Sequence, residues 1–385
     1  MYALKDQYAI AGIGHTDFTA KSGRTVLDLA LEACGKAMAD AGVGPAEVDG
    51  VISYHFNDSV PSIAVATGLG LPEARYAVEF SSGGNAANLI VLSAAAAIEA
   101  GLAKTVLCYR AMNGRSGFRL GGGRDMASRG ITQFTAPFGW ITYPQAMAMW
   151  CRRHMIKYGT TSEQMGAVAV SCRKHAQLND RAMMRTPMTL ADHQASRMIV
   201  EPFHLLDICL ESDGACAVLV TKAERARDLK AKPVYIMGGA YGGGPFQGDD
   251  LFDAIRWPEH AHNYAKYIAK DLWASAGVGP KDIDVAEIYD CFTYSVLMQL
   301  EGLGFCKEGE GGPFVQDGRI GLGGELPVNT HGGLLSEAYI HGFNHVIEAV
   351  EQLRGQSGAR QVPDAEIALT TAGAMTCGSA LVLRN

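Results

Sequence analysis

The chain has no cysteine pair at metal-binding or redox spacing, no apolar run long enough to cross a membrane, and no surplus of positive charge. Its nine cysteines are an odd number, scattered without a C-x-x-C pair. That argues against a disulfide framework or a zinc site and fits a reduced, cytoplasmic protein. The longest apolar stretch, Leu89 to Ile98, is interrupted by Ser93 and stops at Glu99, short of the ~20 residues a spanning helix needs. The opening residues, Met1-Tyr2-Ala3-Leu4-Lys5-Asp6, show no signal-peptide pattern. A net charge of −7 argues against nucleic acid as a general partner. Gly121-Gly122-Gly123 lacks the strand–turn–helix context of a nucleotide fingerprint and reads as a flexible loop.

What is present is a well-packed chain of 385 residues, 48% hydrophobic and 19% charged, with 46 glycines. Length alone suggests two or three domains. An internal repeat refines this. Ala41-Gly42-Val43-Gly44-Pro45 followed by Asp49 recurs as Ala276-Gly277-Val278-Gly279-Pro280 followed by Asp284, at one offset of 235 residues. Each copy follows an amphipathic helix, with Leu27, Leu31, Cys34 and Met38 on one face in the first and Tyr264, Ile268 and Leu272 in the second. Gly42 and Gly277 stand where a left-handed helix cap is wanted. Each copy runs on into a β-rich stretch, Val51–Tyr54 and Val285–Tyr289, and short strands at Tyr8–Ile13 and Pro233–Met237 begin the two halves.

A second unit also matches between the halves. Strand Arg75–Phe80, a glycine turn, helix Asn85–Ala100 and strand Thr105–Tyr109 are echoed by a turn at Gly332-Gly333 and Gly342, helix Asn344–Leu353 and strand Ile367–Thr371, with Ala380–Leu383 closing the chain. Helix Asn85–Ala100 is apolar almost all round and should lie between layers. The reading is an α/β protein of two duplicated βαβ-rich halves. Residues 1–115 and 191–230 form the first half and 231–385 the second. Residues 116–190 form a loop and helical insert, with helices at Pro144–Tyr158 and Ser162–Leu178, that serves as a lid, a dimer contact or both.

Five stretches then carry a family likeness: Tyr158-Gly159-Thr160-Thr161-Ser162-Glu163-Gln164, Ser196-Arg197-Met198-Ile199-Val200-Glu201-Pro202, Ser212-Asp213-Gly214-Ala215-Cys216-Ala217, Glu287-Ile288-Tyr289-Asp290-Cys291-Phe292-Thr293 and Asn329-Thr330-His331-Gly332-Gly333-Leu334. In this order and spacing the chain resembles the sterol-carrier-protein-x branch of the thiolase superfamily over nearly its whole length. The resemblance implies the thiolase fold, five α/β layers, and a homodimer. In ordinary members the motifs matching Tyr289-Asp290-Cys291-Phe292 and Tyr339-Ile340-His341-Gly342 begin with histidine; both begin with tyrosine here. The nucleophilic cysteine position falls at Ser81 or its neighbour, and the second cysteine position near Thr376, so that Cys377 is one place out of register. Together with Cys108-Tyr109-Arg110-Ala111-Met112-Asn113-Gly114-Arg115-Ser116-Gly117, this substitution set resembles the steroid side-chain-cleaving, lipid-transfer-protein-type aldolases. That family implies retro-aldol cleavage of a β-hydroxyacyl-CoA on a steroid side chain to a ketone or aldehyde plus propionyl-CoA or acetyl-CoA. It also implies a small OB-fold/zinc-ribbon partner protein, and no cofactor beyond the coenzyme A the substrate carries.

The residues are consistent with that chemistry. A β-keto thioester needs a nucleophile before its carbon–carbon bond breaks. A β-hydroxy thioester needs only a base for the hydroxyl, donors for the enolate oxygen and an acid for the α-carbon. Tyr289 and Tyr339 are the candidate acid–base pair, with the two roles left open between them. Holding a free phenol of pKa about 10 as phenolate at pH 7 costs roughly 4 kcal/mol unless neighbours compensate. Gly83-Gly84 before the buried helix offers free backbone N–H groups at a positive dipole end, and Gly378-Ser379 another, as oxyanion donors. Ser81 or Ser82 as a nucleophile lacks a visible base. His331, His341 and His345 gather around the Tyr339 turn, where they either tune a tyrosine or contact substrate; metal is not expected, because no further ligand is in view. Asp290 is either a turn carboxylate or a tyrosine partner. Arg110, Arg115, Arg119 and Arg124 lie in a glycine-rich loop and meet CoA phosphates, a dimer mate or the partner, or are simply exposed. Phe118, Phe134, Phe138, Trp140 and Tyr143 line an apolar cleft or pack the insert. Two other functions compete: a 3-ketoacyl-CoA thiolase using Cys377 or Cys291, and a non-catalytic acyl-CoA-binding subunit.

Overall fold

A computed structural model describes residues 4–117, 132–248, 254 and 256–385. Phe118, Arg119, Gly121–Gly123 and Arg124 lie outside these described residues.

The first half runs β1 (Tyr8–His15), α1 (Val26–Ala41), β2 (Gly50–His55), α2 (Ser62–Gly68), β3 (Tyr76–Ser81), α3 (Ala87–Glu99) and β4 (Thr105–Asn113). α1 begins because the Thr25 side chain accepts the Asp28 N–H, and it ends because Gly42 turns left-handed at φ 72°. It lies flat on β1 because that strand offers glycines: a Cβ on Gly12 would sit 2.1 Å from the Ala37 carbonyl oxygen, and one on Gly14 2.2 Å from that of Ala33. The insert follows, with helices Tyr143–Tyr158 and Ser162–Ala176; the hairpin β5 (Met198–Val200) and β6 (Phe203–His204) lies beyond its expected end at residue 190. The helix Leu190–Ala195 packs on Ser162–Ala176, and β5 packs on Tyr143–Tyr158. β7 (Asp213–Lys222) then returns to the first half.

The second half repeats the plan with β8 (Val234–Gly243), helix Ala265–Ala276, β9 (Val285–Glu287), helix Thr293–Leu303, helix Phe343–Arg354, β10 (Ile367–Ala372) and β11 (Cys377–Arg384). Gly277 caps its helix at φ 72°, as Gly42 does. The repeated aspartates do one job twice. Asp49 accepts the N–H groups of Lys104 and Thr105 at the start of β4, and Asp284 those of Glu366 and Ile367 at the start of β10.

Nine of the strands form one mixed sheet in the order β3-β2-β4-β7-β1-β8-β11-β10-β9, and β5 and β6 pair separately. Its two halves mirror each other across β1–β8, a junction of only two residue pairs, Ala9–Tyr235 and Ile10–Val234. α1 covers β1, β4 and β7 from outside, and helix Ala265–Ala276 covers β8 and β11. Between the half-sheets lie α3, which touches β2, β4 and β7 as well as β8, β10 and β11, and helix Phe343–Arg354, which touches β1 and β7 as well as β9 and β10. These are the five layers that the resemblance implies, with the two half-sheets hydrogen-bonded to each other through β1 and β8. The all-round apolar character of α3 follows from that central position, where Ile90, Val91, Ala94 and Ala95 are fully buried.

Candidate active site

The duplication brings the two tyrosines together. Tyr289 follows β9, where its N–H donates to Thr371 Oγ1 at 2.9 Å and its carbonyl accepts from Ser295 Oγ and Gln299 Nε2. Tyr339 ends the turn before helix Phe343–Arg354, and its N–H donates to Ser212 Oγ at 3.0 Å. The two hydroxyls are 2.9 Å apart and hydrogen-bonded. Tyr289 is 3% exposed, whereas Tyr339 is half-buried. Burial pushes both phenols well above their ordinary range; the hydrogen bond from Tyr289 acts the other way on Tyr339, favouring its anion.

Glycines make room for the pair. A Cβ on Gly84 would lie 1.9 Å from the Tyr289 hydroxyl oxygen, and one on Gly342, at φ 81°, would lie 2.8 Å from the same ring. The turn opening α3 therefore lies directly against the reactive oxygen. Gly83 is buried beside Phe56. Ser81 points outward, exposed at the end of the edge strand β3, and Ser82 donates to Asn85 Oδ1. Gly378 sits in the β11 ladder against the Tyr264 ring, and Ser379 Oγ donates to the Asn85 carbonyl at 2.6 Å, a bond that stitches the α3 turn to the second half.

Behind Tyr339 the structure holds a group that the sequence reading placed in a loop. Arg110 lies on β4, fully buried, and its guanidinium is paired with Asp58. Its Nε and Nη2 lie 3.2 and 3.1 Å from Nδ1 of His341. Arginine only donates, so Nδ1 accepts, and a neutral His341 carries its proton on Nε2. Burial first, and then the Arg110 charge, push the His341 pKa down to about 3. The ring packs edge-on to Tyr339 with centroids 4.9 Å apart, and the Tyr54 hydroxyl holds the His341 carbonyl at 2.8 Å. Tyr54 is related to Tyr289 by the same 235-residue offset as the repeat. Arg115, at the end of the same segment, pairs with Glu211.

His331 does not face this space. It is fully buried with His345, and their Nε2 and Nδ1 are 3.1 Å apart; His345 thus pairs with His331 rather than with His341. A further ligand type is present after all, because Glu287 joins the two imidazoles with donor atoms within 4.8 Å of one another. Burial would strip His331 of its proton, but the Glu337 and Glu287 carboxylates outweigh it and hold its pKa up at about 9. Asp290 accepts the Leu334 N–H at 2.8 Å, so it is a turn carboxylate that also faces His345.

Cys209 and Cys291 lie near the two phenols. Burial pushes the Cys209 thiol up, away from thiolate. Cys377 is buried in β11 opposite Gly243, and Cys291 is buried with its carbonyl taken by the Cys209 N–H. In the insert, Tyr143 stacks on Phe292 with centroids 6.1 Å apart, while Phe134 and Phe138 are exposed.

Comparison with known proteins gives the family. Residues 253–385 match the thiolase C-terminal domain-like family. The chain is 45% identical to a steroid side-chain-cleaving aldolase of Thermomonospora curvata, over 100% of this chain and 99% of that protein. It is 44% identical to the 17-hydroxy-3-oxo-4-pregnene-20-carboxyl-CoA lyase of Mycobacterium tuberculosis, over 99% and 100%. A solved Ltp2–ChsH2(DUF35) aldolase superposes with a TM-score of 0.93 at 45% identity, covering 99% of this chain and 98% of that one. This chain belongs to the steroid side-chain-cleaving aldolases, carbon–carbon lyases of the thiolase superfamily that act on CoA thioesters.

Proposed function

We propose that the Tyr289–Tyr339 pair carries out a retro-aldol cleavage of a β-hydroxyacyl-CoA on a steroid side chain. The observation that carries this reading is the 2.9 Å hydroxyl pair. Tyr339, the more exposed phenol, takes the proton of the substrate hydroxyl, and its anion is held by the hydrogen bond from Tyr289. The alkoxide collapses to a ketone, the Cα–Cβ bond breaks, and its electron pair becomes a thioester enolate. The N–H groups of the Gly83–Gly84 turn and the His341 Nε2–H serve as donors to the enolate oxygen, in a neutral, fixed form suited to an oxyanion. The proton then returns through the phenol pair to the α-carbon. The step balances without oxidant, metal or added cofactor; coenzyme A enters only on the substrate.

A substrate like that of the Mycobacterium tuberculosis relative, with a 17-hydroxyl β to the thioester, would give a 17-ketone and propionyl-CoA; a side chain without the α-methyl would give acetyl-CoA. A homodimer working in the cytoplasm with a small OB-fold/zinc-ribbon (DUF35) partner completes the proposal. The name of the solved relative, which includes a DUF35 component, supports the partner. The test is to incubate the chain, purified with that partner, with a panel of β-hydroxyacyl-CoAs and no free CoA. Ketone and short acyl-CoA in equal amounts are expected. A requirement for free CoA would indicate a thiolase, and tight thioester binding without turnover would indicate a binding subunit.

A further inference from the structure

The parallel ladder between β9 and β10 ends at the pair Glu287–Thr370. Tyr289 lies beyond that pair, so its backbone is held by side chains rather than by a neighbouring strand. Buried backbone polar groups still need partners. Ile288 is clasped on both sides by the Asn329 amide. The Tyr289 N–H donates to Thr371 Oγ1 at 2.9 Å, and its carbonyl accepts from Ser295 Oγ and Gln299 Nε2, each at 2.8 Å.

Gln299 closes these contacts into a ring, and its neighbours fix the orientation of its amide. Nε2 faces the carbonyls of Tyr289 and Ser295, which only accept, at 2.8 and 2.7 Å. Oε1 faces two hydroxyls, Thr371 Oγ1 at 2.6 Å and Tyr264 Oη at 2.9 Å. Thr371 Oγ1 already accepts the Tyr289 N–H, so its own proton goes to Gln299. One side chain therefore holds both backbone polar groups of Tyr289, the carbonyl directly and the N–H through Thr371. Both protons of the amide nitrogen and both lone pairs of its oxygen are used, and Gln299, Thr371, Tyr264 and Ser295 are all buried. Ser295 cannot replace it, because Ser295 reaches only the carbonyl side and shares its hydroxyl with the Phe292 carbonyl.

The tolerance at the other end of Tyr289 is small. Its ring lies between Gly84 and Gly342, where an added Cβ would approach it to 1.9 and 2.8 Å. Its hydroxyl must meet that of Tyr339 at 2.9 Å. A phenol is a long lever, so a small tilt of the backbone becomes a larger shift of the oxygen. About 1 Å of misplacement at a reacting group costs on the order of 10²-fold in rate. We propose that Gln299 is a positioning residue for the carbon–carbon cleavage, fixing the backbone of Tyr289 so that its hydroxyl is aimed at Tyr339.

This role rests on the aldolase reading, and a double-mutant cycle separates the two. It is measured on the chain purified with its partner, with a β-hydroxyacyl-CoA as substrate. Gln299→Met keeps the length of the side chain and removes its hydrogen bonds. It should lower kcat by about 10–10²-fold, with KM within about twofold of wild type. In the Tyr289→Phe background the same substitution should change kcat by less than about threefold, because the hydroxyl it aims is gone. Equal losses in both backgrounds, or wild-type kcat in Gln299→Met, would overturn the proposal and leave the phenol pair standing. Wild-type turnover in Tyr289→Phe would overturn the aldolase reading and this role with it. If Gln299→Met does not fold, Thr371 decides: Thr371→Val should reproduce the loss of kcat and Thr371→Ser should recover most of it. Wild-type kcat in Thr371→Val would refute the ring.

Discussion

Replacing Tyr339 by phenylalanine should lower kcat by about 10²–10⁴-fold while leaving the fold intact, because it removes one oxygen that acts as a positioned base. Tyr289→Phe should cost a similar factor. Its hydroxyl is the donor that holds the Tyr339 anion, and without it a half-buried phenolate is left with burial opposing it. The two losses should not multiply in the double variant, since the hydroxyls work as one hydrogen-bonded unit. Each single change strands one hydroxyl, costing about 1 kcal/mol of stability, so melting curves near wild type should accompany the loss of turnover. Wild-type turnover in either folded variant would remove that tyrosine from the mechanism.

The second large effect concerns Arg110. Arg110→Met should destabilise the protein by about 3–5 kcal/mol, the usual consequence of leaving one partner of a buried ion pair without the other. The side-chain exposures of Arg110 and Asp58 are 0% and 2%, so water cannot replace the lost contact. Arg110→Met combined with Asp58→Leu should regain much of that stability, because no charge is then stranded, but not activity, because His341 loses the donor that fixes its tautomer. Lysine should rescue poorly, since one ammonium cannot serve both Asp58 and Nδ1. The pH dependence has a definite sign. The folded-state pKa of His341 is about 3 against 6.5 for the free side chain, so its contribution is fully present above pH 6.5 and is lost as pH falls towards 3. Melting temperatures between pH 7 and 4 should fall less steeply from this residue once Arg110 is gone. An Arg110→Met protein as stable as wild type would contradict the buried pair.

The frame was legible in the sequence because duplication writes it twice. The caps at Gly42 and Gly277 and the strand-capping Asp49 and Asp284 meet identical backbone demands in each half, and the apolar α3 could only lie between layers. β7 escaped notice because, buried along nearly its whole length, it shows no alternation. The phenol pair was legible only through the motif positions, since nothing local to Tyr289 or Tyr339 says that residues 50 apart share a hydrogen bond. Arg110 was misplaced by its glycine-rich neighbours, yet a signal existed: an arginine inside the apolar run Thr105–Met112 must find a buried partner, and Asp58 lies 52 residues away with no pattern to announce it. His331, His341 and His345 were grouped correctly in space but not by role. His341 lies edge-on to Tyr339, whereas His331 and His345 pair with each other on the Tyr289 side.

The measurement that bears most directly on the phenol pair is α-proton exchange, which isolates enolate formation from carbon–carbon cleavage and needs no thiol. Propionyl-CoA held with the enzyme and its partner in D₂O should gain deuterium at Cα, and the exchange should vanish in both Tyr289→Phe and Tyr339→Phe. Exchange that persists undiminished in those variants, or that depends on Cys377 or Cys291, would contradict the account.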